Sequence, residues 1–402
     1  MKRLGLVVLA ALGLSVPAAG TPTGTPGVTP TQILIGGTVP LSGQASAFGA
    51  VGPSANAYFK YVNAHGGVNG RTIKYLYRDD GYDPSRTLDE TRRLVEQDKV
   101  FSIFNTVGTE HTIAIRGYLN ALGVPELFAG TGAARVAHGY KQYKWTMGYL
   151  PSFEGEGAIY GHYVVKHRPK ARIAVLYENS DYGQDLLRGL KRGLGKHASE
   201  IVSTASYEVT DGDIGSQIAH LRASHANTFM VFALPTFAIS AFVNAYKLGW
   251  FPRFFVSAVS IEPTIMSIAR SNTHGRETNG ALSFAFVKDP TSPAWRKDPA
   301  VALYKKILKR YDPGGRASDV YNWYGMTVAY SMVDALRHAG RNLTRASLLR
   351  AATHINEHTN PFLLPGVAVR TSPTNYFPIA KARMVRYQKT LWVLFGPLVT
   401  PR

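Results

Sequence analysis

From Gln32 onward, short apolar runs alternate with amphipathic stretches, the pattern of parallel sheets built from βαβ units. The runs predict strands over 32–38, 73–78, 101–104, 125–128, 172–177, 201–207, 229–233, 254–258 and 281–286. Helices fall between them. Tyr58, Tyr61 and Val62 recur at helical spacing in 50–64, and 83–98 opens on Pro84 and carries Leu88, Leu94 and Val95. A third helix over 182–194 follows Ser180 or Asp181 as its cap.

One strand–helix series runs to about Tyr149 and a second from about Arg172 to Ser260. A helical stretch follows over 300–311, 319–339 and 344–354, and the chain ends in strand-like runs at 382–387 and 390–395. This order predicts an α/β protein of two doubly wound lobes around a cleft, each built from separated stretches, with three crossovers between them. The expected division is 31–149 plus 284–361 for the first lobe and 150–283 plus 362–402 for the second.

Composition narrows the class. At 402 residues the chain exceeds one ordinary core, and 45% apolar with 18% charged residues exclude disorder for most of it. Cysteine is absent, which removes disulfide frameworks, thiolate nucleophiles, Cys-ligated zinc, iron–sulfur clusters and a cysteine lipid anchor. The excess of 45 Lys+Arg over 26 Asp+Glu gives +19, a field that attracts anions. The basic residues are scattered through helices, as in Arg188, Lys191, Arg192 and Lys196, and no nucleic-acid-binding signature accompanies them. They read as a solvated basic surface, with no nucleic-acid partner.

The N-terminus reads as an address. Lys2 and Arg3 precede an uncharged run over 4–16, which closes on Ala18, Ala19 and Gly20: a cleaved signal peptide over 1–20. The run is shorter than the roughly 20 residues that span a bilayer. A flexible leader, rich in Pro, Thr and Gly, is expected over 21–30. Export without a cysteine points to a soluble periplasmic protein.

In open parallel sheets, ligands sit beyond the carboxyl ends of strands, where loops lead into helix N-termini. Three first-lobe loops, 42–49, 106–112 and 129–133, combine Gly with Ser or Thr, so that backbone N–H and hydroxyl groups can approach a small polar ligand.

Four segments carry a family resemblance: Ile35-Gly36-Gly37-Thr38-Val39-Pro40-Leu41-Ser42-Gly43, Asn63 to Arg71, Arg78-Asp79-Asp80 with Asp83-Pro84, and Glu178-Asn179-Ser180-Asp181-Tyr182-Gly183. Over nearly all of 31–395 the chain resembles the periplasmic substrate-binding proteins of ABC importers, of the branched-chain amino-acid-binding (type I) class. The resemblance implies two Rossmann-like lobes joined by three hinge strands, a monomer without cofactor or metal, and a small ligand passed to a membrane permease. It places the first-lobe contacts on Thr109 and on Gly130, Thr131 and Gly132, which would hold a carboxylate by hydroxyl and backbone N–H. Phe48 falls on an aromatic wall, and Tyr182 on the second-lobe aromatic that closes over the ligand. Packing alternatives stand beside them: Phe48 as a hydrophobic staple and Tyr182 as a first-turn core residue.

The departures bear on the ligand. Amino-acid-binding relatives usually carry an acidic residue where this chain reads Ala258-Val259-Ser260, with Glu262 a little late, and a second aromatic where it reads Leu234-Pro235-Thr236. An ammonium buried without a counter-charge is costly, so a small carboxylate, an aromatic acid or an amide is expected instead.

Other chemistries fit less well. His354-Ile355-Asn356-Glu357-His358 matches an inverted zinc-protease motif, but no Asp or Glu follows Glu357 and Asn360-Pro361 ends any helix there. The 130–132 loop lacks the third glycine of a dinucleotide fingerprint, and Asp79 with Asp80 reads as a cap for the segment that follows. The expectation is a binding protein rather than an enzyme, with a small-molecule hydrolase or amidase, or a sensor domain on the same fold, as the alternatives.

Overall fold

The computed structural model describes residues 24–400, so the expected signal peptide lies outside the described residues. The strands are β1 (Gln32–Val39), β2 (Thr72–Asp79), β3 (Ser102–Phe104), β4 (Glu126–Ala129), β5 (Thr146–Gly148), β6 (Ile173–Glu178), β7 (Ile201–Tyr207), β8 (Thr228–Phe232), β9 (Arg253–Val256), β10 (Leu282–Ala285), β11 (Asn356–Glu357), β12 (Val369–Arg370), β13 (Ala382–Gln388) and β14 (Leu391–Val399). The helices are α1 (Val51–Asn63), α2 (Pro84–Arg92), α3 (Thr109–Ala121), α4 (Ala134–Ala137), α5 (Phe153–His167), α6 (Asp181–Leu194), α7 (Gly215–Ala223), α8 (Pro235–Lys247), α9 (Pro263–Asn272), α10 (Pro299–Tyr311), α11 (Val320–His338) and α12 (Arg345–Ala352).

Two sheets organise two lobes. The first runs β2-β1-β3-β4-β5, all parallel, and the second runs β14-β13-β10-β9-β8-β6-β7. The five parallel strands of the second sheet repeat the order of the first, so each lobe reverses its winding once, at β1/β3 and at β6/β8. That reversal is where an open sheet leaves a crevice. Every residue of β8 is buried, and nearly every one of β6, which is why both read as continuous apolar runs; the edge strand β7 alternates.

Helices α10, α11 and α12 return to the first lobe, where α11 lies along α1. Gly325 admits the Ser54 hydroxyl and the Val51 carbonyl where a Cβ would collide, and Trp323, Met326 and Met332 are buried. The chain passes from first to second lobe at Leu150–Pro151, back through 286–298, and across again before Ala382. The expected crossing at 361/362 falls among residues still packed on the first lobe: Phe362 meets Tyr58 and Trp323, and Tyr376 meets Tyr140. Within the expected leader, Gly27 already accepts a hydrogen bond from Leu34 N at 2.7 Å.

Helix α5 and strand β5 have no counterpart among the predicted elements. Helix α5 is capped by Ser152, whose hydroxyl accepts from Gly155 N at 3.1 Å, and it lies against α6. Gly157 faces the Leu186 carbonyl and Gly189 faces the Glu154 carbonyl, each so closely that no side chain fits between.

Candidate functional site

The loops after β1, β3 and β4 face those after β6, β8 and β9 across a chamber of about 120 Å³. From the first lobe, Phe48, Val51, Tyr82, Gly108, Thr109 and Gly130 line it; Tyr321 and Tyr324 of α11 complete that side. The second lobe supplies Phe153, Glu156, Tyr182, Leu234 and Val259, and the crossings supply Leu150, Pro151, Phe286 and Val287. Most of this wall is aromatic or aliphatic. No Lys or Arg lines it, and Glu156 is its one carboxylic acid.

Polar character concentrates at the N-terminus of α3. Its N-cap is Gly108, at φ 115°, a conformation that suits glycine, and no side chain caps the helix. The first-turn N–H groups of a helix have no partner within it and carry its positive dipole end, so an uncapped N-terminus on a ligand chamber favours an anion. Thr109 stands beside it, its hydroxyl 2.7 Å from that of Thr131.

Four of the expected ligand residues, Phe48, Thr109, Gly130 and Tyr182, line one chamber. Phe48 stands edge-on to Tyr321 with centroids 4.9 Å apart, and Tyr182 edge-on to Phe153 at the same separation. The other two sit behind the wall. Thr131 is fully buried, accepts from Ala133 N at 3.1 Å and holds the Thr109 hydroxyl; Gly132 is pressed against the Pro151 carbonyl. Both lie where the chain turns from β4 toward the first crossing, so they set geometry rather than face the chamber.

The acidic residues divide sharply. Glu262 is spent on structure: its carboxylate caps α9, accepting from Ile265 N and the Thr264 hydroxyl, each at 3.0 Å. Glu156 reaches the 258–260 loop from α5. Its Oε1 accepts from Ala258 N and from the Tyr160 hydroxyl, both at 2.8 Å, and burial pushes its carboxyl up to about 7. Nothing in the Phe153-Glu154-Gly155-Glu156 run marks it, because the loop it reaches, at Ala258, lies 102 residues away. Tyr82 also escaped the sequence. It adopts φ 59°, held by the Asp80 carboxylate, which accepts from its N–H at 3.0 Å. Asp79 ties down the loop after β1 by accepting from Leu41 N, Ser42 N and the Ser42 hydroxyl.

The lobes touch through reciprocal helix caps. Ser180 makes no side-chain cap to α6; instead Glu110 of α3 accepts from Asp181 N at 3.0 Å. Asp185 of α6 accepts in turn from Ala134 N at the start of α4, at 2.7 Å. Arg135 pairs with Asp181 at 3.2 Å, the Tyr321 hydroxyl donates to the Val259 carbonyl at 2.8 Å, and the Thr236 hydroxyl donates to the Gln44 carbonyl at 3.0 Å. The chamber is therefore held closed on several sides.

Comparison with known proteins agrees with this architecture. A family model described as periplasmic binding protein matches residues 32–390. A Leu/Ile/Val-binding protein homolog of Brucella suis is 23% identical over 322 residues, 77% of this chain and 80% of that protein. An amino acid binding protein of Pseudomonas aeruginosa is 22% identical, over 84% of each chain. Among solved structures, a branched-chain amino acid ABC transporter protein of Thermus thermophilus with bound valine superposes at a TM-score of 0.80, with 16% identity, over 92% of this chain and 97% of that one. A fatty acid ABC transporter substrate-binding protein of Thermomonospora curvata superposes at 0.78, with 20% identity, over 93% and 94%. No helix among the described residues is long and apolar enough to cross a membrane.

Proposed function

The chain belongs to the periplasmic binding protein family, and from that premise we propose that it captures a small monocarboxylate with an apolar, aromatic or amide-bearing body and delivers it to the permease of an ABC importer. The single observation that carries the ligand class is the chamber's asymmetry: an uncapped helix N-terminus and the Thr109 hydroxyl at one point, apolar side chains almost everywhere else. Thr109, the Gly130 backbone, Phe48 and Tyr182 contact the ligand; Thr131 orients Thr109 from behind. The protein works as an exported monomer in the periplasm, after removal of residues 1–20. It binds without a cofactor and without chemical conversion.

Relatives named for leucine, isoleucine and valine favour a second reading, in which Glu156 pairs with an α-ammonium. Against it stand the two donors that Glu156 already accepts and the burial that favours its neutral form. Leucine and 4-methylpentanoate separate the readings, since they share a side chain and a carboxylate and differ by the ammonium alone. The test is a thermal-shift and calorimetric comparison of the two, alongside aromatic acids, dicarboxylates and amides. A ligand at a hundredfold its Kd adds about 2.7 kcal/mol of stability. The expected result is that 4-methylpentanoate or an aryl monocarboxylate stabilises the protein and leucine does not. Tighter binding of leucine contradicts the ligand class, and a chemically altered ligand would move the protein to the hydrolases.

A further inference from the structure

The chamber between the lobes has a neighbour. A second cavity, of about 370 Å³, lies behind the second crossing and is walled by Ile261, Trp295, Leu391, Trp392, Val393 and Leu394. The two cavities share Ala258, Phe284, Phe286, Val287 and Val320, so they have an apolar wall in common. An apolar cavity of about 150 Å³ holds a molecule the size of benzene, so the first chamber, at about 120 Å³, takes a head group and a body smaller than one ring. The second offers roughly three times that space (370 against 120) and its wall is again largely apolar.

The charged residues of this second cavity are engaged elsewhere: Lys288 binds Asp298 at 2.7 Å and the Pro361 carbonyl at 2.8 Å, and Asp289 accepts from Thr291. They leave no free charge to hold a second anion. Phe284 belongs to β10, whereas Phe286 and Val287 lie in a crossing segment and Ala258 and Val320 at the starts of short or long helices, the parts of the fold that shift when lobes open and close.

We propose that the ligand is elongated, with its carboxylate at the α3 N-terminus and Thr109 and an aliphatic tail passing the Ala258–Phe286 partition into the second cavity. This rests on the monocarboxylate reading above and narrows it to medium- and long-chain acids. Apolar surface moved from water into such a cavity is favourable in proportion to its area, so affinity rises with chain length for as long as the tail gains cover.

The experiment is calorimetric titration of the full chain, stripped of carried-over lipid, with the straight-chain carboxylates butanoate to dodecanoate below their micelle concentrations. Affinity should rise by about fourfold for each methylene added beyond the length that fills the first chamber. Leu394→Glu and Trp295→Ala, both in the second cavity alone, should abolish that gain and leave butanoate binding as it was; two variants guard against either one failing to fold. Equal affinity for short and long chains, or a length dependence unchanged in both variants, overturns the elongated ligand and leaves the monocarboxylate reading in place. Failure of every chain length to bind, with leucine binding instead, overturns the monocarboxylate reading itself.

Discussion

At the scale of single residues, the account turns on one hydroxyl and one carboxyl. Thr109 is held by Thr131 at 2.7 Å, so its orientation is set before a ligand arrives. A hydrogen bond to a charged group contributes about 1.5–3 kcal/mol, so Thr109→Val should weaken carboxylate binding by roughly tenfold or more in calorimetry, with the melting temperature of the free protein little changed. Thr131→Val, which removes the positioning contact, should produce a smaller loss of the same kind. Glu156 sets the pH behaviour of the site. Below about pH 7 its buried carboxyl is neutral; above it an anion appears in the chamber beside the ligand's own. Affinity for a carboxylate should therefore fall as pH rises through about 7, and Glu156→Gln should remove that fall. A profile identical in wild type and variant would detach Glu156 from recognition. The loops that hold Thr109 and Gly130 were legible in the sequence because they follow strands and combine Gly with Thr, and the family resemblance singled out the two residues. Glu156, Tyr82 and Tyr321 were not, because only tertiary folding brings their segments to one point.

Helices and strands show the same division between local and non-local information. Strands β6 and β8 were read from sequence because burial on both faces demands an unbroken apolar run. Strand β5, Thr146-Met147-Gly148, has a single large apolar residue, so it shows no apolar run of the kind that marks the equally short β3. Helix α5 was hidden by its own glycines. Gly155, Gly157 and Gly161 are poor helix formers, yet Gly157 and Gly161 serve a close helix–helix contact with α6 that no window along the chain can see. Gly157→Val and Gly189→Val should each drive a side chain into a backbone carbonyl of the facing helix, costing about 2 kcal/mol or more and lowering the melting temperature by several degrees in calorimetry. The α3–α6 and α4–α6 contacts behave differently, since each lobe's carboxylate caps the other lobe's helix. Glu110→Ala combined with Asp185→Ala should weaken ligand binding severalfold through faster dissociation, seen in stopped-flow fluorescence, because it removes two hydrogen bonds that join the lobes.

For the whole molecule, buried carboxyls couple stability to pH. Burial raises Glu126 to about 8 and Glu156, Glu178 and Glu357 each to about 7, against 4.5 for an ordinary glutamic acid. The stability held in their neutral forms is fully present below about pH 4.5 and is lost as pH rises through 7 to 8. His111 opposes this on the acid side, since burial lowers its pKa below 6.5 and protonation there costs stability. The melting temperature should accordingly be higher near pH 6.5 than near pH 8.5, and Glu126→Gln should flatten the difference.

The central claim is that two lobes close on a carboxylate and release it unchanged. Small-angle X-ray scattering of the full chain, with and without a saturating monocarboxylate, tests it most directly: the radius of gyration should fall on ligand addition, and fall less in the Glu110→Ala/Asp185→Ala double variant. A scattering curve that stays the same while calorimetry shows the ligand bound would contradict capture by closure.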